Sequence, residues 1–299
     1  MEAIAIFKQI YFMQRIIHFS FVMILLFLAG CSGKEQKRSI RVMTFNIRCD
    51  NPYDSINSWP NRVGLVCEFL KKEKPDLLGL QEALWYQYEQ IDSAISGYSS
   101  VARGRDDGKK KGEMNPVFYN VNRFEYKNDN TFWLSTNPSR AGSLGWGASL
   151  PRIVTWVELV DRKTGKPLFY FNTHFAHDSD SARIRSATIL LKEVKQIAGK
   201  NNFIITGDFN MSSETKAYSF LTEKELPKPF LKDTYLISKI KPAGPDWTFN
   251  GFLDKAGKER IDFIFVRNGM KVLGDSILIV RQGPVFISDH WPVSATIVL

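Results

Sequence analysis

Cysteine is scarce in this chain of 299 residues, and its three copies form no metal-binding pattern. Cys31, Cys49 and Cys67 lie far apart, without the closely spaced pairs that structural zinc sites use. Cys49 and Cys67 could form a disulfide only in an oxidising compartment. Cys67 falls among apolar residues on one face of a predicted helix, which favours a free core thiol. A zinc site built from cysteines is therefore not indicated.

Internal repeats and low-complexity blocks are absent, and no linker interrupts residues 40–299, so the sequence predicts one domain there. Negative charge is in the minority, because 40 lysines and arginines accompany 31 aspartates and glutamates. The formal charge of +9 fits a phosphorylated partner and equally an ordinary soluble surface. Charge alone therefore names no substrate.

A long apolar run is missing as well. The apolar stretch from Phe19 to Ala29 is shorter than the ~20 residues of a membrane span and fits the core of a signal sequence. Residues 28–31 (LAGC) resemble a bacterial lipobox, whose cysteine, here Cys31, becomes lipidated. We predict a lipoprotein signal peptide at 1–30 and a tether at 31–39. The protein would be lipid-anchored in the bacterial cell envelope, in the periplasm or at the outer membrane; a plain signal peptide is the alternative.

One apolar stretch ends in polar groups that suit metal and phosphate chemistry. Residues 203–210 (FIITGDFN) form an apolar run that stops at a glycine and then presents Asp208 and Asn210. Side chains alternate along a strand, so these two are expected to point the same way. The alternative is a strand that ends in an ordinary Asp/Asn turn.

The same arrangement recurs along the chain. Asn46, Glu82 and His174 each end an apolar run, Asp262 begins one, and Asp289-His290 precedes the last. Predicted strands outnumber helices and often follow one another directly, which favours a mixed, largely antiparallel α/β sandwich. Strand ends could then gather in one site. The candidate site residues are Asn46, Glu82, Glu113, Arg152, His174, Asp208, Asn210, Asp262, Asp289 and His290.

Six short segments, in this order, resemble the endonuclease/exonuclease/phosphatase superfamily, the family of DNase I. They are residues 43–46 (MTFN), 80–82 (LQE), 172–174 (NTH), 207–210 (GDFN), 260–264 (RIDFI) and 288–290 (SDH). The resemblance implies a four-layered α/β/β/α sandwich of two mixed, largely antiparallel sheets over residues 40–299. It also implies a divalent metal and phosphoester hydrolysis.

The resemblance further implies a metal site and its surroundings. Glu82 would be the principal metal ligand, with Asn46 and Asp289 beside it or bound through water. Oxygen ligands without cysteine favour Mg²⁺, and leave Mn²⁺ and Ca²⁺ open. A cation would also offset the repulsion between carboxylates and phosphate, about 4 kcal/mol per pair at ~4 Å.

The remaining roles concern the reacting groups. Asp208 and Asn210 would hold or activate the attacking water for in-line attack. His290, oriented by Asp262, would contact the scissile phosphate. On the opposite side, His174 would pair with Glu113.

Substrate contacts are less defined by the sequence. Arg152 would contact phosphate, and so would Arg48, which stands where exonuclease III-type nucleases carry an acid. Trp247, like Trp146 and Phe249, would be either an aromatic at the rim of the site or a buried loop anchor. Residues 103–113 carry five basic side chains, as either a solvated loop or a phosphate-facing rim.

These observations predict divalent-metal-dependent hydrolysis of a phosphoester by a monomer. The substrate stays open among nucleic acid, nucleotide, phosphoglycan and lipid head group. The first alternative is a nuclease acting on DNA or RNA. The alternative of another class is a non-catalytic phosphate- or glycan-binding lipoprotein.

Overall fold

The computed structural model describes residues 38–223, 230–254, 257 and 259–299. The predicted signal peptide, Cys31 and nearly all of the tether lie outside these residues. Among the described helices, none has both the length and the apolar character needed to cross a membrane. Cys49 and Cys67 are both free.

The secondary structure follows the predicted strands and helices closely. The helices are α1 (Trp59–Glu73), α2 (Trp85–Ala94), α3 (Asp180–Ala198), α4 (Lys216–Thr222) and α5 (Thr234–Ile237), with a 3-10 helix at Pro52–Asn57. The strands are β1 (Ser39–Asn46), β2 (Leu77–Gln81), β3 (Tyr98–Val101), β4 (Val117–Asn120), β5 (Phe124–Trp133), β6 (Ile153–Asp161), β7 (Pro167–His174), β8 (Asn202–Asp208), β9 (Leu231–Asp233), β10 (Asp262–Arg267), β11 (Lys271–Ile277), β12 (Arg281–Gln282), β13 (Val285–Phe286) and β14 (Val293–Val298).

Two six-stranded sheets carry the fold. The first has the strand order β11-β14-β1-β2-β4-β3 and the second β5-β6-β7-β8-β10-β9. The β1–β2 and β7–β8 pairs are parallel. The β2–β4, β3–β4, β5–β6, β6–β7, β8–β10 and β9–β10 pairs are antiparallel. The predicted mixed, largely antiparallel pair of sheets is therefore confirmed.

The core strands carry apolar side chains on both faces of each sheet. One face packs on the other sheet, and helices cover the outer face. On β8, Phe203 and Ile205 pack with the apolar face of α3, which runs through Leu190 and Val194. Ile204, between them on the strand, belongs instead to the other apolar cluster. That cluster also takes in α1 and α2, so the sandwich has helical, sheet, sheet and helical layers.

Polar side chains join the two sheets beneath one edge. Gln81 Nε2 donates to Asn172 Oδ1 (2.6 Å), and Asn172 Nδ2 donates to the Leu80 carbonyl oxygen (2.7 Å). Gly79 makes this approach feasible, because a Cβ there would lie 2.5 Å from Asn172 Oδ1. The buried hydrogen bonds satisfy polar groups that would otherwise be costly in the core.

The ends of five core strands meet above this polar layer. Asn46 is opposite Gln81 in the β1–β2 register, and His174 is opposite Asp208 in the β7–β8 register. Asp262, the first residue of β10, is also opposite Asp208. Parallel strands bring their carboxyl ends to one edge, and antiparallel β10 brings its start to the same edge.

Candidate functional site

A cleft of about 660 Å³ opens where these strand ends meet. Most predicted site residues line it: Arg48, Glu82, Glu113, Arg152, His174, Asp208, Asn210, Asp289 and His290. Asn46 and Asp262 are buried directly behind them, hydrogen-bonded to lining residues. Sequence-distant side chains from both sheets therefore surround one space.

Asn46 connects the two sheets at the base of the cleft. Its amide nitrogen donates to Glu82 Oε1 (3.0 Å) and to Asp208 Oδ2 (2.9 Å). The other Glu82 oxygen accepts from the Cys49 backbone nitrogen (3.1 Å). Burial alone would raise the pKa of Glu82, but the Asn46 hydrogen bond and the nearby His290 charge hold it below its usual range. Glu82 is therefore a carboxylate at neutral pH.

Asp208 lies at the centre of the site. Burial and the neighbouring Asp262 carboxylate raise its pKa to about 7, although His290 opposes this. Its Oδ1 accepts from the backbone nitrogen of Asn210 (2.9 Å). Asp208 therefore titrates much nearer neutrality than an ordinary aspartate, which suits a carboxyl group that exchanges protons.

His290 and Asp262 form a buried pair. His290 Nδ1 is 2.8 Å from Asp262 Oδ2, and its Nε2 is 3.7 Å from Asp208 Oδ2. Burial would lower the pKa of His290, but the Asp262 and Asp208 charges raise it well above its usual value. The ring is therefore an imidazolium whose Nδ1–H donates to Asp262.

His174 is in the opposite state. Burial and the charges of Arg152 and Arg105 hold its pKa well below the usual value, so the ring is neutral. Asn210 Nδ2, an N–H donor, lies 2.9 Å from His174 Nε2, which makes Nε2 the acceptor and places the ring proton on Nδ1. The two imidazoles thus differ in charge within one cleft.

Four non-glycine residues of the cleft have left-handed backbone conformations. The φ angles are 58° at Arg48, 60° at Glu82, 47° at Asn210 and 59° at Phe252. The strand alternation used to place Asn210 beside Asp208 therefore stops at the turn, which nonetheless brings the two side chains together. Left-handed non-glycine residues cost free energy and occur where a side chain must be aimed.

The predicted pairing of His174 with Glu113 is wrong. Glu113 instead accepts two hydrogen bonds from Arg105, at 2.8 and 2.9 Å. Burial and the nearby Glu82 raise the pKa of Glu113, while Arg105 lowers it. The pairing partner comes from the basic loop before Glu113, which the sequence interpretation treated as a solvated segment or a phosphate-facing rim.

Arg48 lines the cleft but already has a carboxylate partner. Its Nε and Nη2 donate to Asp54 at 3.0 and 3.1 Å, and Nε lies 3.7 Å from Asp289 Oδ2. The positive charge of Arg48 is therefore largely offset by carboxylates of the protein itself. Asp289, predicted beside the metal, faces this arginine.

Trp247 does not line the cleft, contrary to its predicted role in substrate binding. Its ring packs 6.2 Å from that of Trp291 and is partly buried against the core. Phe249 lines the cleft in its place, 46% exposed, with its ring centroid 5.1 Å from that of His290. Strand alternation would place two aromatics that are two residues apart on the same side. The loop conformation, which residue type and spacing do not encode, decides that Phe249 and not Trp247 faces the cleft.

The donor set fits a hard divalent cation. Ligand atoms of Glu82, His174 and Asp208 lie within 4.8 Å of one another, as do those of Asp208, Asp262 and His290. Asp262 Oδ1 is buried and has no hydrogen-bond partner in the described part of the chain. Because His290 is protonated, the carboxylate oxygens and the Asn46 amide are the better ligands. Neither cluster includes Asp289.

Several cleft residues were missed. Asp54, His177, Leu150 and Phe252 all line the space, and Arg105 supports Glu113 from behind. His177 follows His174 by three residues and was available as a signal, because the loop after a strand that ends in a site residue often lies over the site.

The comparisons with known proteins agree with this architecture. The Endonuclease/Exonuclease/phosphatase family model matches residues 43–290. An endonuclease/exonuclease/phosphatase from Bacteroides vulgatus is 38% identical, with a TM-score of 0.82 over 87% of this chain and 99% of that chain. A mannosyl-6-phosphatase of Bacteroides thetaiotaomicron is 30% identical, with a TM-score of 0.80 over 87% of this chain and 100% of that one.

Curated relatives are more distant. An uncharacterized protein of Acanthamoeba polyphaga mimivirus is 28% identical over 167 residues, which is 53% of this chain. The chain spans only 61% of that protein and 32% of a second mimivirus relative. The family match and the two-sheet fold lead to one conclusion: the chain belongs to the endonuclease/exonuclease/phosphatase family, a family of hydrolases that includes phosphatases and nucleases.

Proposed function

We propose that the protein is a divalent-metal-dependent phosphatase that hydrolyses a phosphomonoester on a sugar. The observation that carries this proposal is Arg152. Its side chain is 5% exposed and lines the cleft, and its Nε and Nη1 have no hydrogen-bond partner among the described residues. A buried guanidinium with vacant donors is costly unless a ligand completes it.

A phosphate group is the ligand that best completes this arginine. Guanidinium donors match the spacing of phosphoryl oxygens, and charge-assisted hydrogen bonds are among the strongest available. A terminal monoester carries up to two negative charges, whereas a diester linkage carries one. The mannosyl-6-phosphatase relative, similar over the whole of its length, supports a sugar as the carrier of the phosphate.

A metal ion would be held by Glu82, Asp208 and the Asn46 amide. We propose Mg²⁺, with Mn²⁺ or Ca²⁺ as substitutes, because oxygen donors of this kind suit hard cations. When bound, the ion would supply Lewis-acid polarisation of the phosphoryl oxygen and charge neutralisation.

The protein's own groups supply proton transfer and charge. Asp208 can accept a proton from water on Oδ2, next to Asn46 and the two imidazoles. His290, held by Asp262, can donate its Nε2–H to a phosphoryl oxygen as negative charge develops. Arg152 binds and orients the phosphate.

A nuclease is the alternative within the same chemistry, and the basic loop argues against it. Arg103 pairs with Asp129 at 2.6 Å, Arg105 pairs with Glu113, and Lys110 lies 4.0 Å over the Trp85 ring. These three cations already have carboxylate or aromatic partners within the protein. They therefore do not form a row of unpaired charges that could bind successive phosphates of a nucleic acid. Base-independent nucleic acid binding relies on such a row.

A substrate panel tests the proposal. Mannose 6-phosphate, glucose 6-phosphate, bis-p-nitrophenyl phosphate and a single-stranded oligonucleotide would be compared with Mg²⁺ and with EDTA. We expect the sugar phosphates to have the highest kcat/KM and EDTA to abolish turnover. A higher kcat/KM for the oligonucleotide, falling steeply with salt, would favour the nuclease. Phosphate binding without any turnover would favour the non-catalytic lipoprotein.

Arginine variants sharpen the same test. Arg152→Met should raise KM for the preferred monoester by about 10-fold to 100-fold, through loss of a charged hydrogen-bond donor set. Arg140→Met is the matched control, since Arg140 is exposed and outside the cleft. Equal kinetics for both variants would contradict the assignment of Arg152.

We also propose that the protein is a lipid-anchored monomer of the bacterial cell envelope. The support is the LAGC segment at residues 28–31 and the short apolar run before it. Labelling of cells with an alkyne fatty acid should mark the protein, and Cys31→Ser should lose both label and membrane association. Retention of the label in Cys31→Ser, with Cys49→Ser as control, would refute the anchor.

A further inference from the structure

The arginines of the cleft differ in what holds them. Arg48 donates twice to Asp54, and Arg105 donates twice to Glu113 behind the wall. Arg152 has no carboxylate hydrogen-bond partner in the described part of the chain. Its Nη2 lies 2.9 Å from His177 Nδ1 instead.

The chemistry of this contact fixes the state of the histidine. A guanidinium only donates, so His177 Nδ1 must accept the hydrogen bond and carry no proton. His177 is therefore the neutral tautomer with its proton on Nε2. A neutral acceptor orients the guanidinium without cancelling its charge, whereas the carboxylates on Arg48 and Arg105 do both.

Two hydrogen bonds secure the segment that carries His177. The Ser149 backbone nitrogen donates to Asp178 Oδ2 (2.9 Å), and Ser179 Oγ donates to the Trp146 carbonyl oxygen (3.2 Å). The loop before Arg152 is thus attached to the turn after β7. This attachment keeps the arginine and the histidine in register, although His177 itself is exposed.

We propose that His177 is a positioning residue for phosphate binding. Its Nδ1 holds Arg152 by one amino group, so that the charged guanidinium presents Nε and Nη1 to the phosphate. The inference rests on the proposed phosphatase function, which supplies the phosphate. It adds a residue outside the six family segments and predicts that the cleft's phosphate affinity depends on a neutral acceptor at position 177.

A matched pair of substitutions tests this role. Asn Oδ1 occupies nearly the position of His Nδ1, so His177→Asn retains the neutral acceptor, and His177→Leu removes it at similar volume. The probe is inorganic phosphate, titrated calorimetrically into the Mg²⁺-loaded protein. We expect His177→Leu to weaken phosphate binding by about 10-fold and His177→Asn by no more than about twofold.

The double variant separates positioning from a general structural effect. Because His177 acts through Arg152, Arg152→Met/His177→Leu should bind phosphate no more weakly than Arg152→Met alone. In turnover of the preferred substrate, His177→Leu should raise KM more than it lowers kcat, and His177→Asn should restore KM. Equal phosphate affinities for the Leu and Asn variants, or multiplicative losses in the double variant, would overturn the proposal.

Failure of the proposed function gives a different result. If the wild-type protein hydrolyses none of the phosphoesters in the panel, the phosphatase assignment fails. The phosphate titration still decides the role of His177, because it measures binding without turnover. If His177→Leu then loses phosphate binding and His177→Asn retains it, the positioning role holds for a phosphate-binding site.

Discussion

At the residue scale, the protonation of Asp208 couples metal binding to pH. Its pKa of about 7 reflects burial beside Asp262, and a cation would displace the proton. Raising the pH deprotonates the group, so Mg²⁺ affinity should increase by about 10-fold between pH 6 and pH 8. Calorimetry in two buffers of different ionisation enthalpy should record proton release at pH 6. In Asp208→Asn this pH dependence should flatten; unchanged affinity in the wild type at both pH values would contradict the coupling.

Two other side chains of the cleft test the chemistry directly. Glu82→Gln removes a charged oxygen donor, and His290→Ala removes the imidazolium that Asp262 holds. We expect each to lower kcat/KM for the preferred substrate by at least about 100-fold. Glu89→Gln, on an exposed position of α2, is the matched control and should retain full activity. Near-normal turnover in either cleft variant would remove that residue from the mechanism.

At the scale of the secondary-structure elements, the close approach of the sheets depends on one glycine of β2. An alanine Cβ at Gly79 would overlap Asn172 and Thr206 on the second sheet. Gly79→Ala should therefore lower the free energy of unfolding by about 1–3 kcal/mol or more, as overpacking does. Urea unfolding measures this change.

A second glycine provides the control for this substitution. A Cβ at Gly64, within α1, would meet no atom within 4 Å. Gly64→Ala should raise the free energy of unfolding by about 0.5–1 kcal/mol, because alanine loses less entropy in a helix. A neutral result at Gly79 would mean that the sheets move apart easily.

The elements also show what the sequence could and could not predict. Apolar periodicity and polar strand ends correctly located β1, β2, β7, β8 and β10, since both signals are local. The short β9, α5, β12 and β13 were missed because two- to four-residue elements carry little periodicity.

Side-chain partners were predicted less well than positions. The sequence predicted that Glu113 pairs with His174 and that Trp247 contacts the substrate. In the structure Glu113 pairs with Arg105, and Trp247 packs on Trp291. Which of several nearby cations or aromatics faces a cleft is decided by loop conformation. Residue type and spacing do not encode that conformation.

At the scale of the whole molecule, a carboxyl group outside the cleft sets part of the pH dependence of stability. Asp275 on β11 accepts from Thr234 Oγ1 (2.6 Å), and Thr234 Oγ1 also contacts the Ile264 carbonyl oxygen (2.9 Å) of the second sheet. Burial raises the pKa of Asp275 to about 6. Its Oδ1 has no partner among the described residues.

The sign of this effect follows from linkage. A carboxyl whose folded-state pKa is raised stabilises the fold below its unfolded pKa, and this contribution is lost as the pH rises through about 6. At pH 8 the ionised group should cost about 3 kcal/mol. Between pH 4 and pH 8, the free energy of unfolding of Asp275→Asn should therefore rise by about 2 kcal/mol relative to that of the wild type, as measured by urea unfolding. If the difference in unfolding free energy between the two proteins stays constant over this pH range, Asp275 does not ionise as described.

The hydrogen-bonded layer of Gln81 and Asn172, which Thr206 extends by donating from Oγ1 to Asn172 Oδ1 (3.1 Å), has a mechanical consequence. The proposed metal ligands and proton-transfer groups come from both sheets, so they stay aligned only while the two sheets keep a fixed offset. Directional hydrogen bonds resist sliding of one sheet over the other, whereas apolar contacts do not. A substitution deep in this seam, remote from solvent and from any ligand, would misalign the halves of the cleft and slow turnover while every strand stayed intact.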